Sequence, residues 1–174
     1  TPREAAQDAE VVISVVGDDR DSREVWLGPA GVLAGRPAAD AIAVECATLS
    51  LAWVKELEAR LTAAGLNYID CPLTGGRQGA AAGALTLLVG ADDAVLARAR
   101  PVLEAMSTRI MHFGRPGAGT AYKLAVNLMV GVQTAALAEA VLLARWIRRD
   151  GFQHLHCHFG NAGSTTAMLA AELG

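Results

Sequence analysis

Several things are scarce in this sequence, and each scarcity excludes a class of protein. Only 5% of the 174 residues are aromatic and 19% are charged, with a formal net charge of −3. That leaves no basic field for nucleic acid and no polybasic patch for a membrane surface. The three cysteines, Cys46, Cys71 and Cys157, are an odd number scattered through apolar contexts. They do not make a disulfide framework, and they suit reduced thiols in a cytoplasmic protein. No stretch reads as a secretory signal. An initiator Met is missing too. The chain opens on Thr1-Pro2-Arg3-Glu4, a helix start with Thr as N-cap and Pro in the first turn, so a preceding segment is expected.

Hydrophobic residues make up 52% of the chain, enough for one soluble domain with a core, or one domain plus part of another. Val11-Val12-Ile13-Ser14-Val15-Val16, Ala41-Ile42-Ala43-Val44-Glu45-Cys46 and Leu66-Asn67-Tyr68-Ile69-Asp70-Cys71 are short apolar runs without alternation. Such runs predict strands buried on both faces. Leu85-Thr86-Leu87-Leu88-Val89-Gly90 and Arg109-Ile110-Met111-His112-Phe113 predict two more. Helices are expected over residues 1–9, 51–64 (capped by Ser50, closed by Gly65) and 93–106, with a helical turn over 21–27. An Ala/Gly-rich segment follows the loop Leu73-Thr74-Gly75-Gly76. The βαβα order with short connections predicts an α/β fold with a doubly wound sheet.

From Ala118 to about Trp146 no strong breaker occurs, so the stretch reads as one helix, roughly 40 Å long at 1.5 Å per residue. Between Lys123 and Ala144 the only charged residues are Lys123 and Glu139. Lys123 and Asn127 stand four apart on one face, and Gly131 and Thr134 extend their stripe. Lys123 could snorkel into water from the first turns, but an ammonium on so apolar a helix calls for a partner or a task. Length alone would allow a membrane span. Asn127, Gln133, Thr134 and Glu139 make insertion costly and no aromatic belt flanks the run, so none is expected.

In doubly wound sheets ligands sit beyond the carboxyl ends of strands. Three such ends carry candidate groups here: Val16-Gly17, Thr48, and Thr74-Gly75-Gly76. A Gly-Gly pair exposes backbone N–H groups and the preceding Thr adds a hydroxyl, a combination suited to a carboxylate. An ordinary glycine turn would have the same spelling. Gly117-Ala118-Gly119-Thr120-Ala121-Tyr122 mimics a dinucleotide fingerprint, but Tyr122 replaces the third glycine, and no strand with a terminal acid follows. His154, His156, Cys157 and His158 form the densest group of metal-ligating types. With no second cluster at ligand spacing, no metal site is expected there, and packing at an interface is the plainer reading. Trp26, Trp53 and Trp146 read as core or interface anchors.

Taken in order, these motifs resemble the β-hydroxyacid dehydrogenase family, which includes 3-hydroxyisobutyrate dehydrogenases, tartronate semialdehyde reductases and the larger 6-phosphogluconate dehydrogenases. The likeness covers residues 1–146. Asp70-Cys71-Pro72-Leu73-Thr74-Gly75-Gly76 is similar to the family's Asp-x-Pro-x-Ser-Gly-Gly, with Thr for Ser. Gly83 to Gly90 resembles its Gly-x-Leu-x-x-x-Val-Gly-Gly, and Gly117, Gly119, Lys123 and Asn127 meet Gly-x-Gly-x-x-x-Lys-x-x-x-Asn. Ala47-Thr48 stands for its Ser-Thr and Val16-Gly17-Asp18 for its Leu-Pro-Asp.

The resemblance implies a partial Rossmann-like domain over 1–116, with a long interdomain helix and the start of an α-helical domain over 117–174. It implies that the first βαβ unit with its glycine fingerprint precedes Thr1, and that most of the helical C-terminal domain follows. It further implies NAD or NADP near Val16, Gly17 and Thr48, and a small carboxylate substrate on Thr74, Gly75 and Gly76. Lys123 would be the general acid/base, with Asn127 orienting the substrate, and a homo-oligomer would form through the 118–146 helix. Two other readings are open. An imine reductase usually has an acid or Tyr where Lys123 stands. A non-catalytic module of the same fold would explain the absent fingerprint but not Lys123 with Asn127.

Overall fold

The computed structural model describes residues 1–152 and 168, which leaves His154, His156, Cys157, His158 and the helix expected over 164–173 outside the described residues. Two compact units divide the chain, Thr1–Leu124 and Ala125–Gly174.

The first unit holds six strands. Parallel strands β1 (Val11–Ser14), β2 (Ile42–Glu45) and β3 (Asn67–Asp70) form one sheet in the order β1-β2-β3, with Val12, Ala43 and Tyr68 in register. β2 is buried throughout, as its unalternated spelling requires. Its residues divide between two cores. Ala43 joins Trp26, Trp53, Leu57 and Leu61 from helices α2 (Asp19–Leu27) and α3 (Leu51–Ala63). Ile42 and Val44 join Ile69, Leu87, Leu96 and Leu103, the last two from α5 (Asp93–Glu104). Helices on both faces of a mostly parallel sheet make the doubly wound architecture. α3 starts where Ser50 caps it, accepting from the Trp53 amide at 3.2 Å, and stops before Gly65, whose φ of +81° suits glycine.

A second sheet comprises β4 (Leu73–Thr74), β5 (Leu85–Val89) and β6 (Ser107–His112), with β4 antiparallel and β6 parallel to β5. The two sheets meet at one bridge. Asp70 donates its amide to the Gly90 carbonyl at 3.1 Å, and Gly90 returns a bond to the Asp70 carbonyl at 2.8 Å.

Local differences from the sequence expectations have local causes. The loop at 73–74 is a strand, because half-buried Leu73 pairs with Leu87 while Thr74 faces out; two residues are too few to show a period. The Ala/Gly-rich segment winds into a short helix α4 (Gly76–Ala81). The opening helix α1 (Pro2–Ala5) stops short of Ala9, shortly before Asp8 takes a left-handed φ of +55°. β1 ends at Ser14 rather than Val16, where pairing with β2 runs out and Val15 is left 65% exposed.

Helix α6 (Ala118–Asp150) gives its first residues, to Leu124, to the first unit. In the second unit Leu128, Met129, Val130, Val132, Leu137 and Leu142 of this helix are exposed, and Ala140 and Ala144 are buried. By length and composition α6 is apolar enough to cross a membrane. Trp146 is half exposed, its indole N–H donating to Asp150 at 2.6 Å and its ring edge-on to Phe152. Trp26 and Trp53, by contrast, lie in the core.

Candidate active site

Three strand ends of the first unit carry candidate groups, and hydrogen bonds to Asp19 tie two of them together. Beyond β1, Val16 packs against the α2/α3 core while Gly17 is exposed, and a Cβ there would meet only an Asp21 carboxylate oxygen at 3.5 Å. Beyond β2 lies exposed Thr48. Asp19 ties the two ends, accepting from the Ser50 amide at 2.8 Å and its hydroxyl at 2.5 Å.

Beneath the Thr48 turn lies a buried polar chain. The Glu45 carboxylate, 1% exposed, accepts from the Ser22 hydroxyl at 2.7 Å, the Trp26 indole N–H at 2.7 Å and the Ala47 amide at 3.0 Å. Ser22 in turn accepts from the Trp53 indole N–H at 3.0 Å. Next in sequence, the Cys46 thiol is pushed above its ordinary range by its hydrogen bond with Cys71, and further by burial. A neutral, buried thiol is no nucleophile.

The third strand end brings Thr74, Gly75 and Gly76 together with Lys123. All three loop residues are exposed. Gly75 and Gly76 have φ of +125° and +59°, a left-handed pair that side-chain-bearing residues resist. Lys123, half buried, donates from Nζ to the Leu73 carbonyl at 2.8 Å. An ammonium has three donors, so two N–H groups remain beside Thr74 for a ligand. The helix that carries Lys123 sits hard on the sheet: a Cβ on Gly119 would fall 2.2 Å from the Leu88 carbonyl oxygen. Tyr122, which spoils the glycine fingerprint, stacks on Phe113 with ring centroids 4.1 Å apart. The Asp70 carboxylate, at the end of β3, accepts from the amides of Gly117 at 2.5 Å and Thr120 at 2.7 Å.

Asn127 is exposed and belongs to the second unit. Sequence reasoning named Asp70 only as a motif letter and passed over Glu45. Both are single acids near the end of an apolar strand, in register with each other, and that repeated oddity was the available signal. Among the described residues no group of three or more His, Cys, Asp or Glu side chains could hold a metal ion.

A mostly parallel sheet clad on both faces, with glycine and hydroxyl residues exposed at its carboxyl ends, is the doubly wound α/β architecture, whose ligands sit beyond those ends. The chain belongs to the 6-phosphogluconate dehydrogenase family: the pattern for the NAD binding domain of 6-phosphogluconate dehydrogenase matches residues 1–114. It is 37% identical over 140 residues to a 3-hydroxyisobutyrate dehydrogenase of Pseudomonas aeruginosa, covering 80% of this chain and 47% of that protein. It is 38% identical over 141 residues to the NAD-dependent L-serine dehydrogenase of the same organism, covering 81% and 47%. Among solved structures, a Mycobacterium tuberculosis 3-hydroxyisobutyrate dehydrogenase with L-serine is 36% identical, with a TM-score of 0.75, covering 83% of this chain and 48% of that one. The chain thus spans about half the length of the curated relatives it matches.

Proposed function

We propose that this chain serves hydride transfer between NAD or NADP and a small β-hydroxyacid or its semialdehyde or keto form. The observation that carries the reading is Lys123, whose Nζ is held 2.8 Å from the Leu73 carbonyl, one residue before Thr74-Gly75-Gly76. A nicotinamide, when bound, accepts or returns the hydride. The space over Gly17 and the exposed Thr48 hydroxyl fit such a group, with Val16 as an apolar wall. In alcohol oxidation, the neutral Lys123 amine takes the hydroxyl proton as hydride leaves the carbon. In carbonyl reduction its ammonium gives that proton back. The Thr74 hydroxyl and the backbone of Gly75 and Gly76 bind the substrate carboxylate. Asn127, four residues beyond Lys123, fixes the substrate's pose, an assignment that rests on the family motif alone. Cys46 and Cys71 are both free thiols, which suits a cytoplasmic setting.

Removing the Thr74 hydroxyl tests the substrate loop. Thr74→Ala in the full-length protein should mainly raise KM, because one donor to the ground-state anion is lost. A charge-assisted bond of about 1.5–3 kcal/mol corresponds to a roughly 10- to 150-fold rise. An unchanged KM would place the carboxylate elsewhere.

The exposed apolar residues of α6 support a second proposal, that this helix is covered by a second copy of the chain. Sedimentation should then show an oligomer, and Leu128→Glu with Leu142→Glu should shift it toward monomer. A monomer for the unsubstituted protein would refute the assignment.

The other reading is a non-catalytic module of the same fold. Cofactor titration of the full-length protein separates the two, since the module would not bind NAD(H) or NADP(H).

A further inference from the structure

Asp70 is a carboxylate with no exposed surface, and burial pushes its carboxyl above the ordinary range while the Gly117 and Thr120 amides draw it partly back. Keeping such a group calls for a reason. Its position supplies one. Helix α6 begins at Ala118, which makes Gly117 its N-cap and Thr120 its third residue. In a capping box, one side chain accepts from the third amide of the helix, and another reaches back to the N-cap amide. Gly117 has no side chain and the first turn of α6 has no acid, so neither is available from the helix itself. Asp70 fills both roles at once, Oδ1 on the Gly117 amide and Oδ2 on the Thr120 amide. The anion also meets the positive end of the helix dipole.

The placement ties that cap to the reacting group. Three residues after Asp70 comes Leu73, and three residues after Thr120 comes Lys123. The two pairs are bonded like successive rungs, Asp70 to the Thr120 amide at 2.7 Å and Lys123 to the Leu73 carbonyl at 2.8 Å. The room for this is also fixed. A Cβ on Gly90 would fall 2.2 Å from Asp70 Oδ1 and 2.9 Å from the Ala118 amide nitrogen, so the backbone just past the end of β5 lies directly beneath the cap.

We infer that Asp70 is a positioning residue for Lys123: by capping α6 from β3, it fixes where the amine stands against the substrate loop. The inference rests on the reading of Lys123 as the acid/base. Asp70 itself touches no reacting atom. Asn at this position keeps one acceptor oxygen but points an amide N–H₂ at a backbone N–H, which loosens the first turn. A displacement of the amine by about 1 Å is enough to cost on the order of 10² in rate.

Turnover, cofactor affinity and melting temperature should be compared, in the full-length protein, for Asp70→Asn, Lys123→Ala and the double variant. Asp70→Asn is expected to lower kcat about 10- to 100-fold with cofactor affinity within about twofold. In the double variant, kcat should be no lower than in Lys123→Ala alone, because a residue that acts through Lys123 has nothing left to position. A merely structural role would make the two losses multiply, and that result overturns the inference. So does a kcat for Asp70→Asn within twofold of the parent when Lys123→Ala is slow. Normal turnover in Lys123→Ala would instead overturn the acid/base reading beneath it. Where Asp70→Asn does not fold, Asp70→Glu carries the same comparison, since it keeps the anion at the helix terminus but moves its oxygens by one methylene.

Discussion

Lys123→Ala in the full-length protein is expected to cut turnover by about 10²–10⁴, the usual worth of a positioned general acid/base. The fold should hardly notice. Lys123 is half buried and its single bond among the described residues goes to a half-buried backbone carbonyl at 2.8 Å, which water can satisfy in its place. A stability loss of about 1 kcal/mol or less follows, the net value of one ordinary hydrogen bond. Cofactor affinity should be unchanged, because Lys123 faces the loop at 74–76 rather than the ends of β1 and β2. The kinetic signature is therefore a fall in kcat and in kcat/KM together, at constant cofactor affinity and melting temperature. Turnover within threefold of the parent would remove Lys123 from the chemistry and leave its ammonium as a clasp between α6 and β4.

How much of this was legible beforehand depends on the range of each interaction. β2 was readable from Ile42-Ala43-Val44, because burial on both faces leaves no room for polar alternation. Ser50 announced α3, because capping acts within three residues. The pairing of Thr74-Gly75-Gly76 with Lys123 was legible only as an ordered family motif; nothing local joins residues 73 and 123. Asp70 and Glu45 stood out as single acids ending apolar strands, but their partners were illegible for the same reason. A carboxylate in an apolar run is spelled alike whether it caps a helix 47 and 50 residues away or simply ends a strand in water. Gly117 and Gly119 were read as a mimic of the dinucleotide fingerprint and as letters of the family pattern that runs on to Lys123 and Asn127. The structure gives them other work, a left-handed φ of +94° at Gly117 and a close approach to β5 at Gly119.

Glu45→Leu should strongly destabilise the first unit. The substituted side chain is apolar, so the new residue does not offend the core; what it strands does. The Trp26 indole N–H and the Ala47 amide lose their acceptor, and the Ser22 hydroxyl must find another. Each buried donor left without a partner costs about 1–3 kcal/mol, so the two stranded donors together cost about 2–6 kcal/mol. Against a total stability of about 5–15 kcal/mol for a domain, that is a large share. At a urea m-value of about 2 kcal/mol/M, the unfolding midpoint should fall by roughly 2 M. Glu45→Gln keeps the shape and one acceptor oxygen but turns an amide N–H₂ toward at least one donor, so a loss of about 1–3 kcal/mol is expected. The two variants should also weaken cofactor binding in the same order, since the Ala47 amide is the anchor that holds the turn before Thr48. Urea unfolding followed by Trp fluorescence would report the change directly, because Trp26 and Trp53 belong to the same hydrogen-bonded chain. A midpoint shift of less than 0.5 M for Glu45→Leu, about 1 kcal/mol on the same m-value, would show that the network contributes little to stability and that the buried carboxylate is kept for another reason.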